Sequence, residues 1–335
     1  MTGSLLATSR GREAALIGLG AYRPARDVPN SEILERIDST DEWIRSRSGI
    51  ESRRFAADDE TVADMGAAAA QAALTDAGLD AGDVDVLIVA TSTGLNQTPS
   101  VAAEVDVRIG TAGAAAFDVG AACAGFCYGL ALANDLIRGG TARHVLVIGV
   151  EKLSVFLNLD DRSTAFIFGD GAGAAVVGPA DEPGIGPVVW GSDSSGIAHI
   201  RQDRPWDETF DQPDGPQWPH LEMDGNPVFR WAAFDMAKAA HQAMAAAGVT
   251  SDQIDAFVPH QANMRITDAM ARSLKLGDHI AIARDIATQG NTSAASIPLA
   301  LDRLRRDGAL SSGDLALTIG FGAGLVYAAN VIRVP

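Results

Sequence analysis

Hydrophobic and polar positions fall into a pattern that occurs twice along the chain. In "AALTDAGLDAGDVDVLIVA", residues 72 to 90, an alanine-rich stretch stops at Ala77-Gly78, passes an acidic turn and enters a continuous apolar run. That order predicts a helix, a helix stop, a turn and a buried strand. "QAMAAAGVTSDQIDAFVPH", residues 242 to 260, repeats it without a gap at an offset of 170, and Ala73, Ala77, Gly78 and Asp85 recur as Ala243, Ala247, Gly248 and Asp255. A second pair aligns at 168: "CAGFCYGLALANDLIRGG" from Cys123 matches "NTSAASIPLALDRLRRDG" from Asn291, with Leu136, Arg138 and Gly140 recurring as Leu304, Arg306 and Gly308.

An offset near half the chain length predicts two similar halves, residues 1–180 and 181–335. Alternating strand and helix patterns in each predict an α/β fold of two mostly parallel sheets, with helices between and outside them. Active groups in such sheets gather at strand ends facing the crevice. The uncharged run "LALTIGFGAGLVYAANVI", 315 to 332, is long enough to suggest a membrane span. Its glycines and β-branched residues predict instead two buried strands joined by a glycine turn, so no membrane role is expected.

Composition narrows the functional classes. With 335 residues and 47% hydrophobic content the chain can bury a large core. A net charge of −17 disfavours nucleic-acid binding, and any acidic partner needs a local basic patch. The 23 arginines against 3 lysines are explained at least as well by a bias of the source genome as by phosphate binding. The first twenty residues interrupt their apolar runs with Arg10, Arg12 and Glu13, so no leader peptide is expected and the setting is cytoplasmic and reducing.

The two cysteines lie four apart in "DVGAACAGFCYG", 118 to 129. A structural disulfide is disfavoured in that setting, and a zinc site lacks a second ligand pair, so no metal is expected. Cys127 reads as core packing one turn inside an apolar helix face. Cys123 sits where the strand "AAFDV" gives way to a helix, whose N-terminus would lower the thiol pKa, and its small neighbours leave room for a substrate. On these residues alone it is either a nucleophile or a small buried hydrophobe. The repeat puts Asn291, after the predicted strand "IAIARDIA", at the place equivalent to Cys123, where a pseudo-twofold axis would make the two face one another. His260, ending "DAFVPH", could reach the same crevice. His144, His199, His220, His241 and His279 have no evident partner. "FGDGAGA", 168 to 174, fits the loose dinucleotide fingerprint, but strand-like "AAVVG" follows it, so it reads as a tight turn between strands.

"ACAGF" around Cys123, "VPHQAN" around His260 and "GNTSAASIP" around Asn291, in this order, resemble the β-ketoacyl-acyl carrier protein synthase III family, the initiating condensing enzymes of bacterial type II fatty acid synthesis. "GAYRP", "DEWIRSRSGI", "FGDGAGA", "VFRWA" and "GFGAGLVYA" extend the resemblance over nearly the whole chain. It implies a thiolase-like fold of two duplicated halves in a five-layer αβαβα arrangement, usually a homodimer, with no cofactor. Cys123 would take an acyl group from acyl-CoA and then be attacked by the carbanion that malonyl-acyl carrier protein yields on losing CO2. His260 Nε2 and Asn291 Nδ2 would stabilise the enolate, and the backbone N–H groups of Cys123 and Ala323 the acyl oxyanion; many relatives carry glycine at the latter position. Trp43, Arg47, Arg162 and Asn263 would bind CoA, Arg230, Arg265 and Arg272 would dock the acidic carrier, and Thr98 and Phe229 would line the acyl pocket.

The resemblance thins at "STGLNQTPS", 92 to 100, which aligns with a loop closing the partner subunit's acyl pocket, and at the acidic, proline-rich 203 to 220. Short-chain members carry a bulky aromatic where Thr98 stands, so a deeper pocket is expected. The rivals are a priming synthase of a polyketide or other specialised pathway, a non-catalytic subunit of the same fold, and a cysteine hydrolase. A non-catalytic subunit has no need of the full triad, and a hydrolase would form free acid without a carrier or loss of CO2.

Overall fold

The computed structural model describes residues 11–111, 113–210 and 217–335; the first ten residues and positions 211–216 of the acidic, proline-rich stretch lie outside the described residues. Strand β1 (Glu13–Tyr22) leads into a small antiparallel pair, β2 (Arg26–Pro29) and β3 (Ser52–Phe55), with helices α1 (Asn30–Ile33) and α2 (Asp41–Ser48) between them. The first half continues through α3 (Val62–Ala77), β4 (Val86–Ala90), α4 (Val101–Ile109), β5 (Ala115–Val119), α5 (Gly125–Arg138), β6 (Val145–Lys152) and β7 (Asp170–Ala180). After β8 (Val189–Ser192) and the short pair β9 (Ile200–Gln202) and β10 (Leu221–Met223) come α6 (Gly225–Ala247), β11 (Ala256–Pro259), α7 (Met264–Ser273), β12 (Ala281–Ile282), α8 (Ile286–Gln289), α9 (Ser296–Arg306), β13 (Leu315–Gly322) and β14 (Val326–Arg333).

Two five-stranded sheets form the frame, ordered β1-β7-β6-β4-β5 and β12-β11-β13-β14-β8. Helices α5 and α9 lie between the sheets, α3 and α4 cover the outer face of the first, and α6 and α7 that of the second. The central core joins Phe126, Leu130, Ile297 and Leu301 of the two middle helices to Val147, Val258, Ala316 and Ala328 from both sheets. Separate outer cores, around Met65 and Leu87 on one side and Met236 and Phe257 on the other, complete the five layers of a thiolase-like fold. Both sheets are mixed, which corrects the mostly parallel expectation. The pairs β4·β5 and β4·β6 are parallel, as are β11·β12 and β11·β13, but β7 and β14 each run antiparallel to both neighbours. A strand returning after a short connection must run antiparallel, and β13 reaches β14 through only Ala323–Leu325.

The first repeat holds at its full offset. Helices α3 and α6 end at Gly78 and Gly248, with φ of 66° and 72°, and each leads through a single 3-10 turn into β4 or β11. The second holds at the helix ends, Arg138 and Arg306, but not at their starts. The 3-10 turns opening α5 and α9 are Ala122–Ala124 and Ser293–Ala295, led by Ala122 and Ser293 with φ of 44° and 48°. The structural counterpart of Cys123 is therefore Ala294, and Asn291 stands three residues earlier, because α9 is one turn shorter than α5. The strand expected over "IAIARDIA" shrinks to Ala281–Ile282 before α8 begins. "FGDGAGA" is no turn: from Asp170 onward it forms the start of β7, where a Cβ on Gly173 would stand 2.7 Å from Pro298 Cβ of α9. The residues 315 to 332 form β13 and β14, and no helix among the described residues is long and apolar enough to cross a membrane.

Candidate active site

Cys123 lies in the 3-10 turn that precedes α5, half-buried against β13. A Cβ on Gly322 would come within 2.9 Å of both its Cβ and Sγ, so only glycine there lets the strand approach the thiol. Ala323 follows at once, half-buried, and positive φ falls on Gly324 and Leu325 instead, so alanine is accommodated at 323. Ala122, Ser293 and Leu325 are three of the four non-glycine residues with positive φ among the described residues, a conformation that costs about 1–2 kcal/mol each. Such strain gathers where the backbone must present groups to one small volume. Cys127 is fully buried on α5 with its sulfur 4.0 Å from Thr318 Oγ1, as the core reading requires.

His260 follows β11, its N–H bonded to Ile319 O of β13 at 2.8 Å and its ring packed edge-on to Phe321. Burial holds the imidazole pKa down at about 3, so the ring is neutral and carries a single N–H. Nδ1 lies 2.7 Å from Ser296 Oγ, which also accepts the Gln261 N–H at 3.3 Å. With Gln261 occupying one lone pair, the hydroxyl can give its proton to Nδ1, and in that tautomer Nε2 is the donor. Asn291 is fixed by a comparable device. Its backbone bonds Ile167 O and the Gly169 N–H, and its side-chain oxygen accepts the Ser293 N–H at 2.9 Å, leaving Nδ2 to donate. Ser293 and Ser296 were in plain sight within "GNTSAASIP", but nothing in the sequence marked them as partners of the triad.

One expectation about the thiol is reversed. A helix start favours thiolate, yet burial pushes the Cys123 thiol up to about 12; the Ser293 hydroxyl pulls the other way, and the charge of Glu151 adds to the rise. Desolvation of a whole sulfur outweighs the partial charge of one helix end. Among the described residues no group of three His, Cys, Asp or Glu could hold a metal ion.

The Arg162 guanidinium lies 4.8 Å over the Trp43 ring, which also makes an edge contact with Phe166. Arg47 is exposed on the same helix. Asn263 caps α7 by accepting the Arg265 N–H and donates to Arg47 O at 3.0 Å, so its amide joins α2 and α7 and keeps one further N–H and one lone pair. Arg230, Arg265 and Arg272 are all exposed on the packed pair α6 and α7, Arg265 over the half-buried Phe229 at 5.2 Å. None of the three pairs with an acid among the described residues, whereas the neighbouring Asp235 and Asp268 are taken by Lys238 and Arg284. Phe229 thus lies half-buried under Arg265, and Thr98 is exposed on its loop.

A duplicated five-layer fold with a cysteine at the start of one central helix, and a buried histidine and asparagine bonded to serines at the start of the other, points to a condensing acyltransferase of the cysteine type. The family pattern for 3-oxoacyl-[acyl-carrier-protein] synthase III matches residues 117–194, and that for its C-terminal part residues 244–334. The chain is 54% identical over 331 residues to β-ketoacyl-[acyl-carrier-protein] synthase III 1 of Streptomyces coelicolor, covering 96% of each. It is 53% identical over 329 residues to the mycobacterial β-ketoacyl-[acyl-carrier-protein] synthase III of Mycobacterium avium, covering 98% of each. Among solved structures, the priming β-ketosynthase of the R1128 polyketide pathway superposes with a TM-score of 0.96 at 47% identity over 99% of both chains. The 3-oxoacyl-[acyl-carrier-protein] synthase III of Aquifex aeolicus does so at 0.88 and 36%, over 96% of this chain and 99% of that one. The chain belongs to the 3-oxoacyl-[acyl-carrier-protein] synthase III family and is a condensing acyltransferase of fatty acid synthesis.

Proposed function

We propose that Cys123 takes the acyl group of an acyl-CoA primer, and that malonyl-acyl carrier protein then condenses with it to give 3-oxoacyl-acyl carrier protein, CoA and CO2. The observation that carries this is the paired orientation of His260 Nε2 and Asn291 Nδ2 as neutral donors, set by Ser296 and by the Ser293 N–H. In acylation the thiolate adds to the thioester carbonyl, the oxyanion is met by the N–H groups of Cys123 and Ala323, and collapse expels CoA thiolate. In condensation the malonyl C–C bond breaks, its electron pair forms an enolate on the thioester oxygen, and the two donors hold that charge. The carbanion then attacks the acyl-Cys123 carbonyl and expels the cysteine thiolate. No cofactor enters any step.

Adenine of CoA stacks on Trp43 beside Arg162 and Arg47. The acidic carrier docks on Arg230, Arg265 and Arg272, which have no acidic partner among the described residues of a chain of −17. The two halves divide near residue 180, and the protein works as a homodimer in the reducing cytoplasm. Strand β5 supports the dimer: it is an edge strand with mostly exposed residues, Phe117 among them at 38% exposure, and an uncovered edge invites a second chain.

Intact-mass measurement after incubation with a panel of acyl-CoAs, followed by malonyl-carrier protein, tests the reading. Wild type and Cys127→Ala should gain the acyl mass and lose it to product, and Cys123→Ala should gain none. A labelled peptide containing Cys127 alone would overturn it. A second reading, a priming ketosynthase for a specialised pathway, is favoured by the superposition at TM-score 0.96. A strong preference in the same panel for a primer longer than acetyl would support it.

A further inference from the structure

Ala323, whose N–H serves the proposed acylation, sits in the short turn Ala323–Leu325 between β13 and β14. That turn has no side-chain cap and carries positive φ at Gly324 and Leu325, 46° at the leucine. The 3-10 turn Ser194–His199 packs against it, and β9, which follows, does so too. The Asp193 N–H donates to Leu325 O at 3.1 Å, and the Asp193 carboxylate caps its own turn by accepting the Ser195 N–H at 3.0 Å and the Ser195 hydroxyl at 2.6 Å. At the far end His199 Nδ1 meets Asp224 Oδ2 at 3.1 Å and His199 O accepts the Asp224 N–H at 2.8 Å, which fastens the turn to the start of α6.

Gly196 is the point of contact. A Cβ there would overlap Leu325 Cδ1 and stand 2.8 Å from Leu325 Cγ and 3.0 Å from His199 Cδ2. Its φ of −102° is open to any residue, so glycine is needed for space and not for backbone conformation. Turning the end of the leucine side chain moves Cδ1 but leaves Cγ where it is. Leu325 is 4% exposed, within the outer core that also holds Trp231 and Phe321, so the rest of its side chain is not free to swing. A methyl at 196 therefore pushes on the Leu325 backbone, two residues from the Ala323 N–H.

We infer that Gly196 is a positioning residue for the acyl oxyanion: the space above its Cα seats Leu325, and through that seat aims the Ala323 N–H at the acyl oxygen on Cys123. A backbone donor has no rotamer with which to re-aim itself, so its direction is set by whatever holds its turn. An oxyanion site works because its donors are fixed before the charge develops.

This inference rests on the acylation of Cys123 with Ala323 as a donor, and its test separates the two. Rapid-quench intact mass gives the acylation rate against acyl-CoA concentration for wild type, Gly196→Ala and Leu325→Ala, with iodoacetamide alkylation of Cys123, which forms no oxyanion, timed beside it. Each variant should lose on the order of a hundredfold in the saturating acylation rate, and keep its half-saturating acyl-CoA concentration and its alkylation rate within about twofold. A merely structural role slows both reactions together or neither; either result overturns the inference, as does a loss confined to acyl-CoA binding. Should Gly196→Ala fail to fold, Leu325→Ala removes the same seat from the other side without overfilling it and must still show the split. A wild type that gains no acyl mass on Cys123 defeats the underlying reading and this inference with it, whereas an acylated wild type with which the variants keep pace defeats this inference alone.

Discussion

At the scale of single residues, the proposed condensation depends on keeping its donors neutral. His260 is an imidazole whose charge would otherwise change between about pH 5 and 8, and burial removes it from that window. CO2 release from malonyl-carrier protein should therefore show no inflection from His260 across that range, which a pH profile of the isolated decarboxylation reports. His260→Ala and Asn291→Ala should each retain acyl transfer and lose about 10²–10³ in CO2 release. Stability follows from the same shift. The folded ring takes a proton only near pH 3 and the unfolded one near 6.5, so between these values the unfolded chain binds more protons. Stability is lost as pH falls from 6.5 toward 3, and the loss measured by denaturant titration should be shallower in His260→Ala.

At the scale of elements, α6 and α7 present a basic face on an acidic protein. Acids on the two helices are neutralised locally by Lys238 and Arg284, which leaves Arg230, Arg265 and Arg272 to act outward. Exposed charges act on association more than on chemistry and are screened within about 8–10 Å at moderate salt. Reversal to Glu at these positions should raise the KM for malonyl-carrier protein, more so at low salt, and leave acylation by acyl-CoA nearly unchanged. Equal damage to both half-reactions would assign the face to CoA or to folding.

At the scale of the whole molecule, the proposed dimer through the edge strand β5, with the loop carrying Thr98, would make acyl length a property of two chains. Thr98 is exposed in its own subunit, as a residue reaching into a partner's pocket would be. Phe117→Lys should shift the protein toward monomer in sedimentation. In the dimer, each methylene that finds an apolar wall adds about 0.8 kcal/mol, severalfold in kcat/KM. Thr98→Phe should cut kcat/KM for the longer primers and spare acetyl-CoA; an unchanged length profile would show that this loop does not close the pocket.

The repeat, the helix stops, the buried strands and the three motifs were legible because each is written in residues close together in sequence, where periodicity and capping act. Cys127 as core followed from the same local signals, and Cys123, His260 and Asn291 stood out as candidates in the three motifs. The mixed direction of the sheets was not legible, since strand pairing is settled by how connections return across the molecule. Nor was the three-residue slip between Cys123 and Asn291, which comes from one helix being a turn shorter. Only the tertiary structure decided the ionisation of the site. Burial by many distant residues raises Cys123 and Glu151 and lowers His260, and the turn before α9 packs against β6 across the molecule. Sequence specified which groups the site contains, and desolvation, a sum over the whole fold, decided which of them carry protons.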